Sequence, residues 1–181
     1  GLALETVDGA IIEDLTIDNI AMRDICNSPI YVRLGNRARG PKELPFSVIR
    51  RVKLSNIVVK DADCRYASMI FGLEGHKIED VTLSNIHIQY RGGLTMEDVK
   101  LQRGANSFFT RMNSVANGTP DTGRNRSQAT DEKTERDPYD VPQMEHGYPE
   151  PSSHGILPTY GLFISHARGV TIDNVTMETV N

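Results

Sequence analysis

The sequence predicts an all-β chain and, within that class, a right-handed parallel β-helix of about three to four coils. Three observations carry the expectation. First, one phrase recurs four times: "IEDLTIDNIAM" from Ile12, "IRRVKLSNIVV" from Ile49, "IEDVTLSNIHI" from Ile78 and "ARGVTIDNVTM" from Ala167. Apolar and polar residues alternate in each, with β-branched residues in many apolar slots, which is the pattern of a strand buried on one face. Second, the phrases align on Asn19, Asn56, Asn85 and Asn174, spaced by 37, 29 and 89 residues. The shortest spacing suits one coil, the longer ones a coil plus inserted loops, and such a period means a solenoid, a propeller or an array. Third, a second apolar run alternates with the first: "GLALE" from Gly1, "PIYVRLG" from Pro29, "SMIFGLEG" from Ser68 and "YGLFISH" from Tyr160. Propeller blades need several hairpins per unit and leucine-rich repeats a Leu-x-x-Leu-x-Leu phrase, and the chain has neither.

The first phrase predicts strands whose inward residues, in the third copy Ile78, Val81, Leu83 and Ile86, form one rung of a core. Its asparagine admits two roles. It can stack along a corner column, with the amide bonding to its neighbours and the backbone in the left-handed region that a sharp bend needs, or it can hold a ligand. Cys26 and Cys64 fall seven and eight residues after their asparagines, in nearly equivalent places. Stacked coils lie about 4.8 Å apart, so a disulfide is within reach, as is a pair of reduced thiols packed as small hydrophobes.

The alternation stops over residues 91–155, a loop region inserted within the single domain 1–181. "TMEDVKLQRG" predicts one short helix, capped by Thr95, acidic in its first turn, basic in its last and ended by Gly104. Ala105 to Asp140 is poor in hydrophobic residues and reads as mobile. The stretch "HGYPEPSSHGILPTYG" mixes prolines that restrict the path with glycines that permit bends, and it can project His146, Tyr148 and His154. An aromatic on such a loop serves either to stack on a sugar ring or to anchor the loop. "RLGNRARGP" sets Arg33, Arg37 and Arg39 at a strand end and in the loop after it. Guanidinium groups take carboxylates bidentately, which suits a uronic acid polymer; pairing with local acids such as Glu43 accounts for them equally.

Composition excludes some classes. The formal net charge of −4 and its mixed pattern argue against nucleic acid as a partner, and no apolar run approaches the roughly 20 residues of a membrane helix. Two cysteines and five scattered histidines make no metal motif, and no phosphate loop or nucleophile elbow is present, so no cofactor or metal is expected. The carboxylate pair Asp61 with Asp63 falls at a corner, where turn chemistry explains it, and Asp137 with Asp140 falls in the polar insertion; neither is set as an active site.

"ETVDGAIIEDLTIDNIAMRDICNSPIYVRLGNRARGP" resembles the later coils of the polygalacturonase-like glycoside hydrolases, family 28, especially bacterial members, and "YPEPSSHGILPTYGLFISHARGVTIDNVTM" resembles their closing segment. The resemblance covers most of Leu2 to Gly92 and of His146 to the end. It implies a right-handed parallel β-helix that hydrolyses galacturonate chains with inversion, using an acid and a base carboxylate on opposite faces of the bond and no metal. The family's Asn-Thr-Asp, Asp-Asp and Gly-His-Gly phrases are absent here. The expectation is therefore the C-terminal part of a pectin-degrading enzyme, without catalytic residues of its own. Acidic polysaccharide is the expected partner, through Arg33, Arg37, Arg39, Tyr148 and His154. The alternative is a non-catalytic carbohydrate-binding or structural β-helix module. The resemblance implies a periplasmic or extracellular parent protein whose signal lies outside this chain, and open coil ends imply self-association.

Overall fold

The computed structural model describes residues 1–101 and 135–180. Most of the segment expected to be mobile, and the end of the expected helix at Gly104, lie outside the described residues. The described chain is all-β in character. Four short strands, β1 (Leu2–Thr6), β3 (Ile30–Leu34), β5 (Ser68–Phe71) and β7 (Leu162–Ser165), alternate with four long ones, β2 (Ile11–Arg23), β4 (Val48–Ala62), β6 (Ile78–Arg91) and β8 (Ala167–Val180). The short strands form one parallel sheet in the order β1-β3-β5-β7 and the long ones a second in the order β2-β4-β6-β8. Each passage of the chain thus adds one strand to each sheet.

The long strands keep one apolar side although they are not simple alternations. In β4 the buried apolar residues are Ile49, Val52, Leu54, Ile57, Val59 and Ala62, so the inward step is alternately three and two. The extra residue at each step of three has a positive φ: Arg51 (53°), Asn56 (54°) and Asp61 (65°). Such a residue turns the strand and adds one outward position, so the apolar series re-enters on the same side. The first two positions repeat in every layer, as Asp14, Arg51, Asp80 and Gly169 and then as Asn19, Asn56, Asn85 and Asn174. The third is limited to Asp24 and Asp61; β6 lacks it, and the β4–β6 register shifts by one residue between Val59 and Ala62.

The asparagines form the expected column. Asn174 Nδ2 donates to Asn85 Oδ1 at 2.9 Å and Asn85 Nδ2 to Asn56 Oδ1 at 3.2 Å. In the first layer the acceptor changes, because Asn56 Nδ2 bonds Asp18 Oδ1 at 2.7 Å, beside Ser55 Oγ at 2.9 Å from the same oxygen. Charges outside the sheet also match between layers: Arg50 with Glu13 at 2.7 Å, Arg51 with Asp14 at 2.6 Å, Arg168 with Glu79 at 2.6 Å. Exposed pairs of this kind add little stability singly, but each favours one register.

Between the sheets lies one apolar core. Ile78, Val81, Leu83 and Ile86 fill their rung at 0–2% exposure, whereas Ile172, paired with Leu83 in the outer layer, is 51% exposed. Tyr90 occupies the place of Ala62 one layer on and ties the sheets together: its hydroxyl donates to Gly161 O at 2.9 Å and accepts from Ser68 N–H at 3.2 Å. Cys26 and Cys64 are free, half-buried thiols.

The helix α1 (Met96–Leu101) begins as its sequence indicates. Thr95 N–H donates to Asp98 Oδ2 at 2.9 Å and Asp98 N–H to Thr95 Oγ1 at 3.4 Å, a reciprocal cap. Asp63 Oδ1 accepts the Arg65 N–H at 2.9 Å, the turn chemistry expected of it, and in the polar insertion Asp137 Oδ1 accepts the Tyr139 N–H at 2.9 Å. Among the described residues no helix is long and apolar enough to cross a membrane.

A strap, residues 141–157, packs on the outer face of the short-strand sheet. Val141 and Leu157 join Tyr31, Met69 and Phe163 in a second small core, and Phe71 stacks on Phe163 at 5.7 Å.

Candidate functional site

The short strands end where the chain turns outward, and the longest of these turns, between β3 and β4, carries the arginine phrase. Its path is held by the preceding layer. Arg37 N–H bonds Val7 O at 2.7 Å, Ala38 takes φ 54°, and Gly35 N–H bonds Thr6 O at 2.9 Å. Asp8 then lies under the loop. Both Asp8 oxygens receive the Arg37 guanidinium, and Oδ1 also accepts the Arg39 N–H at 3.0 Å. The Arg37 bonds, aided by the Arg39 N–H, pull the Asp8 carboxyl down to about 2, so the pair is ionised throughout the physiological range. Glu43, the partner anticipated for these arginines, does not take that place.

The strap's start docks on the same loop. Asn36 N–H donates to Glu145 O at 2.7 Å and Asn36 Nδ2 to Glu145 Oε1 at 3.1 Å, while His146 Nδ1 donates to Asn36 O at 2.6 Å. Tyr148 is thereby set with its ring under Arg37, whose guanidinium carbon lies 5.6 Å from the ring centroid. The Tyr148 ring is 69% exposed and the Arg39 side chain also faces solvent. Among the described residues the Arg39 guanidinium has no ion-pair partner. Beside this corner lies a cavity of about 300 Å³ lined by Asp8, Asn36, Lys42, Leu44, Pro45 and Phe46, among others. Phe46 forms a fixed wall, stacked on His76 at 3.4 Å with an interplanar angle of 8°. The corner offers an ordered cation–aromatic pair, two further cations and a concave apolar wall, which can receive anionic, ring-bearing ligands.

Two residues expected in this site are elsewhere. Arg33 points to the outer face of the short-strand sheet, where the strap covers it to 1% exposure. Nη1 donates to Leu34 O and, at 3.3 Å, to Phe71 O, and Nη2 to Gln143 O at 2.5 Å and Met144 O at 3.1 Å. With Nη1 and Nη2 engaged and its guanidinium carbon 5.1 Å from the Phe71 centroid, it pins the strap and has no face for a substrate carboxylate. His154 is fully buried. Its Nδ1 faces Pro142 O at 2.8 Å, an acceptor only, so Nδ1 carries the proton and Nε2 accepts from Tyr31 OH at 3.0 Å. Burial, reinforced by the Arg33 and Arg136 charges, drives its pKa down to about 4, so at neutral pH it is an uncharged brace. The roles expected for Arg33 and His154 are corrected accordingly. Arg37, Arg39 and Tyr148 are brought together.

Sequence reasoning missed Asp8, Asn36 and Lys42. A signal for Asp8 existed: Leu2 pairs with Ile30 and Thr6 with Leu34, and the same offset carries Asp8 to Asn36, next to Arg37.

The fold and the corner together define an all-β chain of two parallel sheets bearing a cation–aromatic surface site. No family model, no curated protein and no solved structure matches the chain.

Proposed function

We propose that the chain is a segment of a right-handed parallel β-helix from a polygalacturonase-like hydrolase, and that it contributes contact with an acidic, galacturonate-type polysaccharide. The alternation of strands between two parallel sheets and the regular positive-φ corners support the β-helix. The meeting of two stretches that carry the resemblance supports the rest: "RLGNRARGP" and "YPEP" lie far apart in sequence, yet Arg37 of the first lies over the ring of Tyr148 of the second. The observation that carries the binding role is Arg37, clamped by Asp8 and held over the exposed Tyr148 ring, with Arg39 beside it and, among the described residues, without an ion-pair partner. A uronic acid polymer presents a carboxylate on each ring, so a guanidinium and an aromatic face at one corner meet its two features at once. On this reading the bond-breaking carboxylates belong to another part of a periplasmic or extracellular parent protein, since the family's aspartate phrases do not occur in this sequence.

Affinity electrophoresis in polygalacturonate, with a neutral polysaccharide as control, tests this. The 181-residue chain should be retarded by the acidic polymer, less so at high salt. Arg39→Ala and Tyr148→Ala should each weaken binding by about tenfold, or ~1.4 kcal/mol, without altering stability. Equal mobility in both polymers, or unchanged binding by both variants, would refute the proposal.

A further inference from the structure

The cleft beside Arg37 lies where short strands hand over to long ones; a second hollow lies where the long strands end. Here β6 finishes at Arg91, and residues 156–160 lead into β7. The surface between them encloses about 300 Å³. One wall is apolar, with Met96, Leu157, Pro158 and the Tyr160 ring at the boundary. That ring is braced edge-on against the buried Tyr90 ring, at 6.1 Å and 70°. Cys64 faces the hollow as a neutral thiol, since burial and the nearby Asp63 charge push its pKa up.

Arg91 supplies the charge. Its side chain is exposed and, among the described residues, makes no hydrogen bond or ion pair. The acid within its field, Asp63, is already taken by Arg65, whose Nε and Nη2 lie 2.9 and 2.5 Å from the two Asp63 oxygens. Beyond Arg91, among the described residues, a Cβ added at Gly93 would meet nothing within 4 Å. A free guanidinium at the mouth of a small, half-apolar cavity favours a ligand with one carboxylate and one flat, weakly polar face.

We propose that this hollow is a binding site for a small ring-bearing carboxylate, its acid group on Arg91 and its ring against Tyr160 and Pro158. A hexuronic acid and an aromatic acid share that chemistry. The hollow has no lining residue in common with the cavity beside Arg37, so this site and the polysaccharide reading stand or fall separately.

Titration of the 15N-labelled chain with glucuronate and with benzoate, followed by NMR at the Gly92, Gly93, Thr95 and Thr159 amides, tests the proposal. At least one acid should give saturable shifts there. Its neutral counterpart, glucose or benzyl alcohol, should bind at least about tenfold more weakly, and Arg91→Gln and Tyr160→Ala should each weaken the acid by about tenfold. Saturation by glucuronate alone assigns the site to sugar acids; saturation by benzoate alone assigns it to aromatic acids. The proposal is overturned if neither acid saturates, if the neutral compound binds as well, or if Arg91→Gln binds like the parent chain.

Discussion

The two sheets contain the same number of strands, yet their outer faces are built on opposite plans. Outside the long-strand sheet, equivalent positions carry related residues in every layer: the Asn column, the positive-φ corners, the paired charges. Outside the short-strand sheet, Tyr31, Met69 and Phe163 form one apolar row, but the neighbouring position does not repeat. The positions equivalent to Arg33 are Glu5, Phe71 and Ser165, and the strap covers part of that face through contacts specific to single residues. Repetition builds the frame, and departure from it places the parts that touch something else.

This contrast can be broken at several points. The largest effect should follow Leu83→Ala, in the rung walled by layers on both sides. A buried Leu→Ala change costs about 3–5 kcal/mol, whereas Ile172→Ala, half-exposed in the outer layer, should cost about 1 kcal/mol. Urea unfolding measures both, and equal losses would mean that the layers do not share one core. Next, His154→Ala orphans the Tyr31 hydroxyl and the Pro142 carbonyl and should cost about 2–3 kcal/mol. Hydrogen exchange should show the loss confined to the strap while β4 and β6 keep their protection.

The same histidine gives a pH dependence with a definite sign. Its folded pKa of about 4 lies below the ordinary 6.5, so the fold prefers the neutral ring. That contribution is complete above pH 6.5 and is lost as the pH falls from 6.5 through 4. Between pH 7 and pH 5 the loss is about 2 kcal/mol. A His154→Gln chain, which cannot titrate there, should show a flatter profile over that interval. The smallest effect belongs to the column: Asn85→Ala places an ordinary Cβ at φ 53° and removes two exposed hydrogen bonds, at a cost of about 1 kcal/mol, and Asn85→Gly should recover part of it. Thermal unfolding of the three chains orders them.

The frame was legible because it is written four times. Alternation revealed the strands, and a shared asparagine revealed one corner and its ladder. The neighbouring corner escaped notice although it is equally regular, because its residues are Asp14 and Asp80 in two layers but Arg51 and Gly169 in the others, so the four share a backbone conformation and not one residue type. The site was half legible for a different reason. Arg37, Arg39 and Tyr148 stand on loops whose composition marks them as exposed; Arg39 and Tyr148 are exposed, and Arg37 is half-buried between Asp8 and Tyr148. Arg33 and His154 carry the same chemistry but are buried where strap and sheet meet, a contact that joins residues more than a hundred positions apart in the chain. Local pattern indicates which way a side chain points and says nothing of what is later laid over it.

The corners at every fifth residue also act as a lock on the sheet's own edges. A strand joining β2 or β8 must itself bend at that spacing, so it needs residues that accept a positive φ at the matching places. A straight, β-branched segment of the kind that propagates fibres can follow such an edge for only four residues before its hydrogen bonds fall out of step. The edge admits a chain that carries the same punctuation and turns away one that carries only the same hydrophobicity.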